Sequence, residues 1–106
     1  MKRWGVLVNG TNFRMNVEGD SGAERVRRVG FYTAVYLTAP TERAAERKAM
    51  GLLRRDPALR ASVRNAPDDP PVMFTEKIRE LSSFKGCKRP RTGFVFYAER
   101  GPRRKK

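Results

Sequence analysis

Residues 29–57 read VGFYTAVYLTAPTERAAERKAMGLLRRDP, and this stretch decides the fold. Its first half alternates apolar and other residues, which predicts a strand with one buried face formed by Val29, Phe31, Val35 and Leu37. Tyr32 and Tyr36 fall on the opposite face of the same strand. The strand is therefore expected to have an apolar side against a core and a tyrosine side away from it.

The second half of the stretch predicts a helix. Pro40 ends the strand and is expected to open the helix, because proline is tolerated at the first helical position. Residues 41–55 are rich in alanine, so their helix propensity is high. An apolar stripe recurs at helical spacing and consists of Ala45, Ala49, Leu52 and Leu53. The opposite side carries Arg43, Arg47 and Arg54, which form either an ordinary solvated face or a basic stripe for an anion.

The remaining strands are predicted on both sides of this unit. Residues 4–8 and 13–17 alternate and are separated by the turn pair Asn9-Gly10, and a loop follows at 18–23. After the helix, Asp56 is expected to cap a short second turn. Val72, Phe74 and Ile78 supply a fourth strand, and residues 93–98 supply a fifth.

Together these elements predict an α+β fold. About five antiparallel strands, in the chain order β-β-β-α-β-β, form one sheet, and one main amphipathic helix packs on one face of it. At this length one domain is expected, over residues 1–100, followed by a basic tail over residues 101–106.

A set of local motifs resembles a family of small uncharacterised bacterial α+β proteins. The motifs are Gly-Phe-Tyr-Thr at 30–33, Arg-Asp-Pro at 55–57, Asp-Asp-Pro-Pro at 68–71 and Gly-Phe-Val-Phe-Tyr at 93–97. These motifs are structural rather than catalytic, and the family carries no established activity. The resemblance implies a fold and no function.

The charge of the chain indicates its class of partner. There are 24 Lys and Arg against 11 Asp and Glu, which gives a net charge of +13 on 106 residues. The tail contributes four of the thirteen charges, so nine belong to residues 1–100. Such an excess is typical of proteins that meet nucleic acid or another polyanion, although it also suits plain solubility.

The leading hypothesis is therefore a small basic module that binds RNA through phosphate contacts and exposed aromatic rings. The candidate binding residues are Arg25, Arg27, Arg28, Tyr32, Tyr36, Lys88, Arg89, Arg91, Arg103, Arg104, Lys105 and Lys106. The alternative is a protein-interaction or structural subunit whose tyrosine face pairs with itself or with an acidic partner.

Residues 93–97 supply further aromatic side chains that could stack on bases. Gly93, Phe94, Val95 and Tyr97 match the second half of the aromatic strand signature of RNA-recognition motifs, but residues 90–92 break its first half. Phe94 and Phe96 are expected in the core, since one sheet face must be buried under the helix. Tyr32 and Tyr36 remain the better candidates for stacking.

The composition excludes several common kinds of catalytic site. The chain has no histidine and one cysteine, Cys87, which excludes an intramolecular disulfide, a cysteine-based zinc site and a histidine triad. Asp68-Asp69 is flanked by two prolines and is interpreted as part of a turn rather than a cation site. We expect no enzyme activity, no cofactor, no metal and no membrane insertion, and a cytoplasmic location is the default.

Overall fold

The computed structural model describes residues 1–18 and 24–99, and for residues 16–18, 24 and 25 it describes the backbone alone. The elements follow the order β1 (Lys2–Glu18), β2 (Glu24–Ala39), α1 (Glu42–Arg54), α2 (Pro57–Ser62), β3 (Val72–Leu81) and β4 (Val95–Ala98). The α+β class and the antiparallel sheet are confirmed. The described chain has four strands and two helices, however, where about five strands and one main helix were predicted.

The count differs because Asn9-Gly10, predicted as a turn between two strands, lies within the single strand β1. A bulge follows, because Gly10 pairs with Phe31 and Phe13 pairs with Val29, which leaves an extra residue on β1. Asn12 accommodates the bulge with a φ of 58°. Gly10 is required for another reason: a Cβ there would lie 2.3 Å from the Phe31 ring. The predicted strands 4–8 and 13–17 are thus one long strand, and most of the predicted loop at 18–23 lies outside the described residues.

β1 and β2 form the centre of the sheet, whose strand order is β3-β1-β2-β4. The β1–β3 pairing passes from Leu7–Lys77 to Val8–Thr75, so Glu76 has no partner on β1. This second bulge reverses the alternation along β3. As a result Ile78 faces the core, whereas Phe74 faces the other side, although the sequence pattern had grouped the two together.

Helix α1 covers one face of the sheet. Its N-cap is Thr41, whose hydroxyl accepts a hydrogen bond from the backbone N–H of Ala44, so Pro40 precedes the helix instead of opening it. The predicted stripe is buried at Ala45, Ala49 and Leu53, with Leu52 half-buried. These side chains pack against Trp4, Val6, Val8, Val35, Leu37 and Ala39 of β1 and β2.

Helix α2 and the segment after it close the far end of the same face. Asp56 caps α2 as predicted, accepting a hydrogen bond of 3.1 Å from the backbone N–H of Leu59. Leu59 then packs against Phe13, Met15, Val29 and Phe31. No described helix is long and apolar enough to cross a membrane.

β4 pairs with β2 at the sheet edge, and the chain before it continues along the same edge. The backbone N–H of Tyr36 donates to the Pro90 carbonyl, and that of Thr92 donates to the Ala34 carbonyl. Phe94 is half-buried and contacts the Phe31 ring edge-on at 5.0 Å. Phe96 lies on the same side but is 46% exposed, so the prediction that both are core residues holds for Phe94 only.

Candidate functional site

The face of the sheet opposite α1, hereafter the open face, is covered by no described helix. The register of the strands brings side chains onto it in rows that run across β3, β1 and β2. One row is Arg79, Gly5 and Tyr36, the next is Lys77, Leu7 and Ala34, and the third is Phe74, Asn9 and Tyr32. The open face therefore combines aromatic and basic side chains around small residues.

Four aromatic rings lie on the open face. Tyr32 and Tyr36 lie there as the strand pattern predicts, with Tyr32 39% exposed and Tyr36 half-buried. Phe74, which is 43% exposed, and Tyr97 join them. The alternation of residues 94–97, with Phe94 and Phe96 expected in the core, predicts Tyr97 on the face opposite them, and its pairing with Gly30 confirms this. Phe74 was missed because the bulge at Glu76 cannot be read from the sequence.

Tyr97 is fixed in place by a polar contact that spans β2. Its ring lies over Gly30, where an added Cβ would come within 2.2 Å of it. The hydroxyl accepts a hydrogen bond of 2.9 Å from Nδ2 of Asn9, which also donates to the Phe31 carbonyl at 3.0 Å. Asn9 is 5% exposed, so this amide is satisfied inside the protein. The Tyr97 ring then lies 5.6 Å from the ring of Tyr32.

Basic side chains border the rings on the β3 side. Lys77 and Arg79 are exposed, and neither forms an ion pair within the described part of the chain. Arg3 lies in the adjoining row, and its guanidinium donates to the Ser82 carbonyl. None of these three was among the predicted binding residues, since separate charges on an alternating strand give no local cluster in the sequence.

The predicted bases are dispersed. Arg28 lies on the open face but contacts Glu99 at 3.7 Å, whereas Arg27 lies on the opposite side, paired with Met15. Lys88 and Arg89 are exposed in the connection before β4, where Arg89 stacks on the Phe84 ring at 4.1 Å. The side chain of Arg25 and all of Arg103, Arg104, Lys105 and Lys106 lie outside what the structure describes.

Arg91 has a structural contact. Its guanidinium donates to the Asp56 carboxylate at 2.7 and 3.0 Å and lies over the Phe94 ring at 4.1 Å. Burial raises the pKa of Asp56, but hydrogen bonds from Arg91 and from the Leu59 backbone outweigh it, so the pKa lies below its ordinary value. This contact joins the chain before β4 to the start of α2.

Asp69 of the acidic pair 68–69 lies in a turn, as interpreted from the sequence, because its backbone N–H donates to the Ala66 carbonyl, and its side chain has a structural contact. Hydrogen bonds from Asn12 and Arg14 reach the carboxylate of Asp69 and lower its pKa. Asn65 completes the contact by donating to the Asn12 and Asp69 carbonyls. In the described residues, no three Cys, Asp or Glu side chains come together as metal ligands would.

Two concave regions differ in character. A groove of about 400 Å³ on the helix side is lined by side chains of the apolar core, including Phe13, Leu53 and Leu59, with Arg54 and Arg60 at its border. A depression of about 260 Å³ lies on the open face, lined by Gly5, Leu7, Ala34, Tyr36, Lys77 and Arg79. In the second, a half-buried tyrosine ring lies beside two exposed cations.

Comparison with known proteins gives no relative: no family model, no curated protein and no solved structure matches the chain. The resemblance drawn from local motifs is thus neither supported nor opposed. The open face of the sheet is the candidate functional site.

Proposed function

We propose that the protein binds single-stranded nucleic acid, with RNA as its natural partner, on the open face. The observation that carries this proposal is the meeting of Tyr32, Tyr36 and Phe74 with Lys77 and Arg79 on one uncovered sheet face. Proteins that bind single strands without strong sequence preference combine aromatic platforms with a positive surface along the backbone.

The spacing of the rings suits an extended strand. Tyr36 and Tyr32 are four residues apart on β2, which corresponds to about 14 Å at the rise of a β-strand. Bases stacked on both rings would leave room for an intervening nucleotide between them. Lys77 and Arg79, two strands away on β3, are then in position to bind the phosphates.

The overall charge supports the same partner. Two carboxylates of the described residues, Glu99 and Asp69, form ion pairs with Arg28 and Arg14, which offsets their charge, whereas Glu76 beside Lys77 is exposed. Lys88, Arg89 and the tail add charge, and we propose that they extend the phosphate contacts. Arg91 is not proposed to bind phosphate, because its guanidinium already binds Asp56.

Self-association through the open face is a second candidate. Val72 and Phe74 on β3 are 50% and 43% exposed, Val95 on the opposite edge strand is 66% exposed, and large exposed apolar residues often mark a protein interface. Sedimentation of the free protein tests this alternative, because a dimer formed by this face would dissociate in a Phe74→Lys variant.

Two phenylalanines provide a matched test of RNA binding. Phe74 and Phe96 have nearly equal exposure, 43% and 46%, but Phe74 lies on the open face and Phe96 on the helix side. Phe74→Ala is expected to weaken the binding of a fluorescein-labelled single-stranded RNA roughly 5- to 150-fold, the range for one stacked base. Phe96→Ala is expected to leave it unchanged. Equal effects, or no RNA binding by the wild-type protein at low salt, would reject the proposal.

A further inference from the structure

The depression on the open face has the shape of a site for one nucleotide. Its base is formed by Gly5, which has no side chain, and by Ala34, which has only a methyl group. The Tyr36 ring bounds it on one side, and Lys77 and Arg79 bound it on the other. In the register of the sheet Gly5 separates Tyr36 from Arg79, so their strands lie about 9.5 Å apart.

Gly5 makes room for its neighbours. A Cβ on Gly5 would lie 3.3 Å from Cε1 of Tyr36 and 3.4 Å from Cδ1 of Leu81, so these two side chains lie against the Gly5 backbone and the depression opens beside the Tyr36 ring. Phe74 and Tyr32 lie in the neighbouring row and do not line the depression. The space is therefore bounded by the Tyr36 ring, by Lys77 and Arg79, and by a base of Gly5, Ala34 and the half-buried Leu7.

We infer that this depression holds a single nucleotide unit, with its base against the Tyr36 ring and over Ala34, and with its phosphate between Lys77 and Arg79. This inference rests on the proposed function and adds to it where one unit of the strand lies. A flat heterocycle stacks on a tyrosine, and two unpaired cations complement a phosphate.

The lining also limits how the base is recognised. Among the six lining residues, Tyr36, Lys77 and Arg79 alone carry polar side-chain atoms, and none carries an amide or a carboxylate. Arg and Lys also pair with base edges, above all with guanine, but here both cations bind the phosphate, so the lining keeps no amide, carboxylate or free cation to select a base. The site is therefore expected to accept all four bases with affinities within a few-fold of one another.

Uridine 5′-monophosphate is the direct probe, observed by two-dimensional amide NMR of the full chain. We expect it to shift the signals of Gly5, Ala34, Tyr36 and Lys77, and the other three monophosphates to do the same. Uridine, which lacks the phosphate, and inorganic phosphate, which lacks the nucleoside, are expected to shift the same four signals less. Shifts confined to α1, or equal shifts with phosphate alone, would overturn the inference.

Ala34→Leu fills the depression without changing charge or removing a ring. We expect it to abolish the monophosphate response and to weaken RNA binding about tenfold. Ala61→Leu, on exposed α2, is the control and should change neither. If Ala34→Leu fails to fold, Lys77→Ala combined with Arg79→Ala should remove the response to phosphate while keeping that to uridine.

The outcomes separate the two proposals. Unchanged RNA affinity in folded Ala34→Leu would remove the nucleotide site and leave the proposed function standing. If the wild-type protein does not bind RNA but uridine 5′-monophosphate shifts the signals of Gly5 and Tyr36, the nucleotide site is supported and the proposed function is rejected. Absence of both responses would overturn both.

Discussion

Asn9 on β1 donates a hydrogen bond of 2.9 Å to the hydroxyl of Tyr97 on β4, with β2 lying between them. The ring can cross β2 only because residue 30 is glycine. This contact ties a short edge strand to the centre of the sheet and places a third tyrosine beside Tyr32.

Gly30→Ala tests this arrangement. The new Cβ would lie 2.2 Å from the Tyr97 ring, so the ring must move and the bond to Asn9 is lost. We expect the free energy of unfolding to fall by about 1 to 3 kcal/mol, as for other overpacked sites. Gly93→Ala is the control, because no atom lies within 4 Å of its added Cβ. Urea denaturation measures both, and equal midpoints would contradict the close approach.

Asp56 is expected to make stability depend on acid pH. Its pKa is lowered in the folded state, so the ionised carboxylate stabilises the fold above the ordinary aspartate pKa of about 3.9, and this contribution is lost as the pH falls through the folded value. Asp56→Asn retains a competent N-cap but removes the charge that binds Arg91. Asp56→Ala removes both.

Denaturation of the three proteins between pH 2 and pH 7 separates the cap from the ion pair. At pH 7 we expect Asp56→Ala to be the least stable, with the cap alone accounting for about 0.5 to 2 kcal/mol. The stability of Asp56→Asn should lie between those of Asp56→Ala and the wild type. The stability difference between Asp56→Asn and the wild type should shrink as the pH falls. If that difference stays constant with pH, the charge of Asp56 does not contribute to stability.

The salt dependence of RNA binding distinguishes the two sides of the sheet. Each phosphate contact on a single strand contributes about 0.7 to the slope of log affinity against log salt. Arg79→Ala, on the open face, is therefore expected to reduce the slope by about that amount. Arg47→Ala removes the same charge from the exposed side of α1 and should leave the slope unchanged. Equal slopes for the two variants would indicate diffuse attraction instead of a binding face.

The basic tail is expected to assist binding without being required for it. Residues 1–100 keep a net charge of +9 out of the total of +13. Replacing Arg103, Arg104, Lys105 and Lys106 with serine should therefore lower RNA affinity and the salt slope but retain saturable binding. Complete loss of binding at low salt, measured by anisotropy, would assign the interaction to the tail.

The sequence predicts the parts of this fold that depend on regular alternation and helical spacing. The two faces of β2 and the stripe of α1 follow directly from the placement of Phe31, Val35 and Ala49. The cap at Asp56 follows from the chemistry of a carboxylate before a helix. These features are local, and each depends on residues close together in the chain.

The errors come from contacts between distant residues. Asn9-Gly10 is a common turn pair, but here the rings of Phe31 and Phe13 demand the glycine within a strand. The bulge at Glu76 turns Phe74 onto the open face, and this bulge exists only in the pairing with β1. Of the candidate site, Tyr32, Tyr36 and Arg28 were identified from the sequence, whereas Lys77 and Arg79 join them only through the register of β3.

Intermolecular nuclear Overhauser effects between the protein and a short single-stranded RNA provide the most direct test of binding on the open face. Binding there predicts contacts from the ring protons of Tyr32, Tyr36 and Phe74 to ribose and base protons, and none from Phe96 or from the side chains of α1. Contacts from Phe96 or α1 in place of the open-face rings, or no complex at low salt, would contradict it.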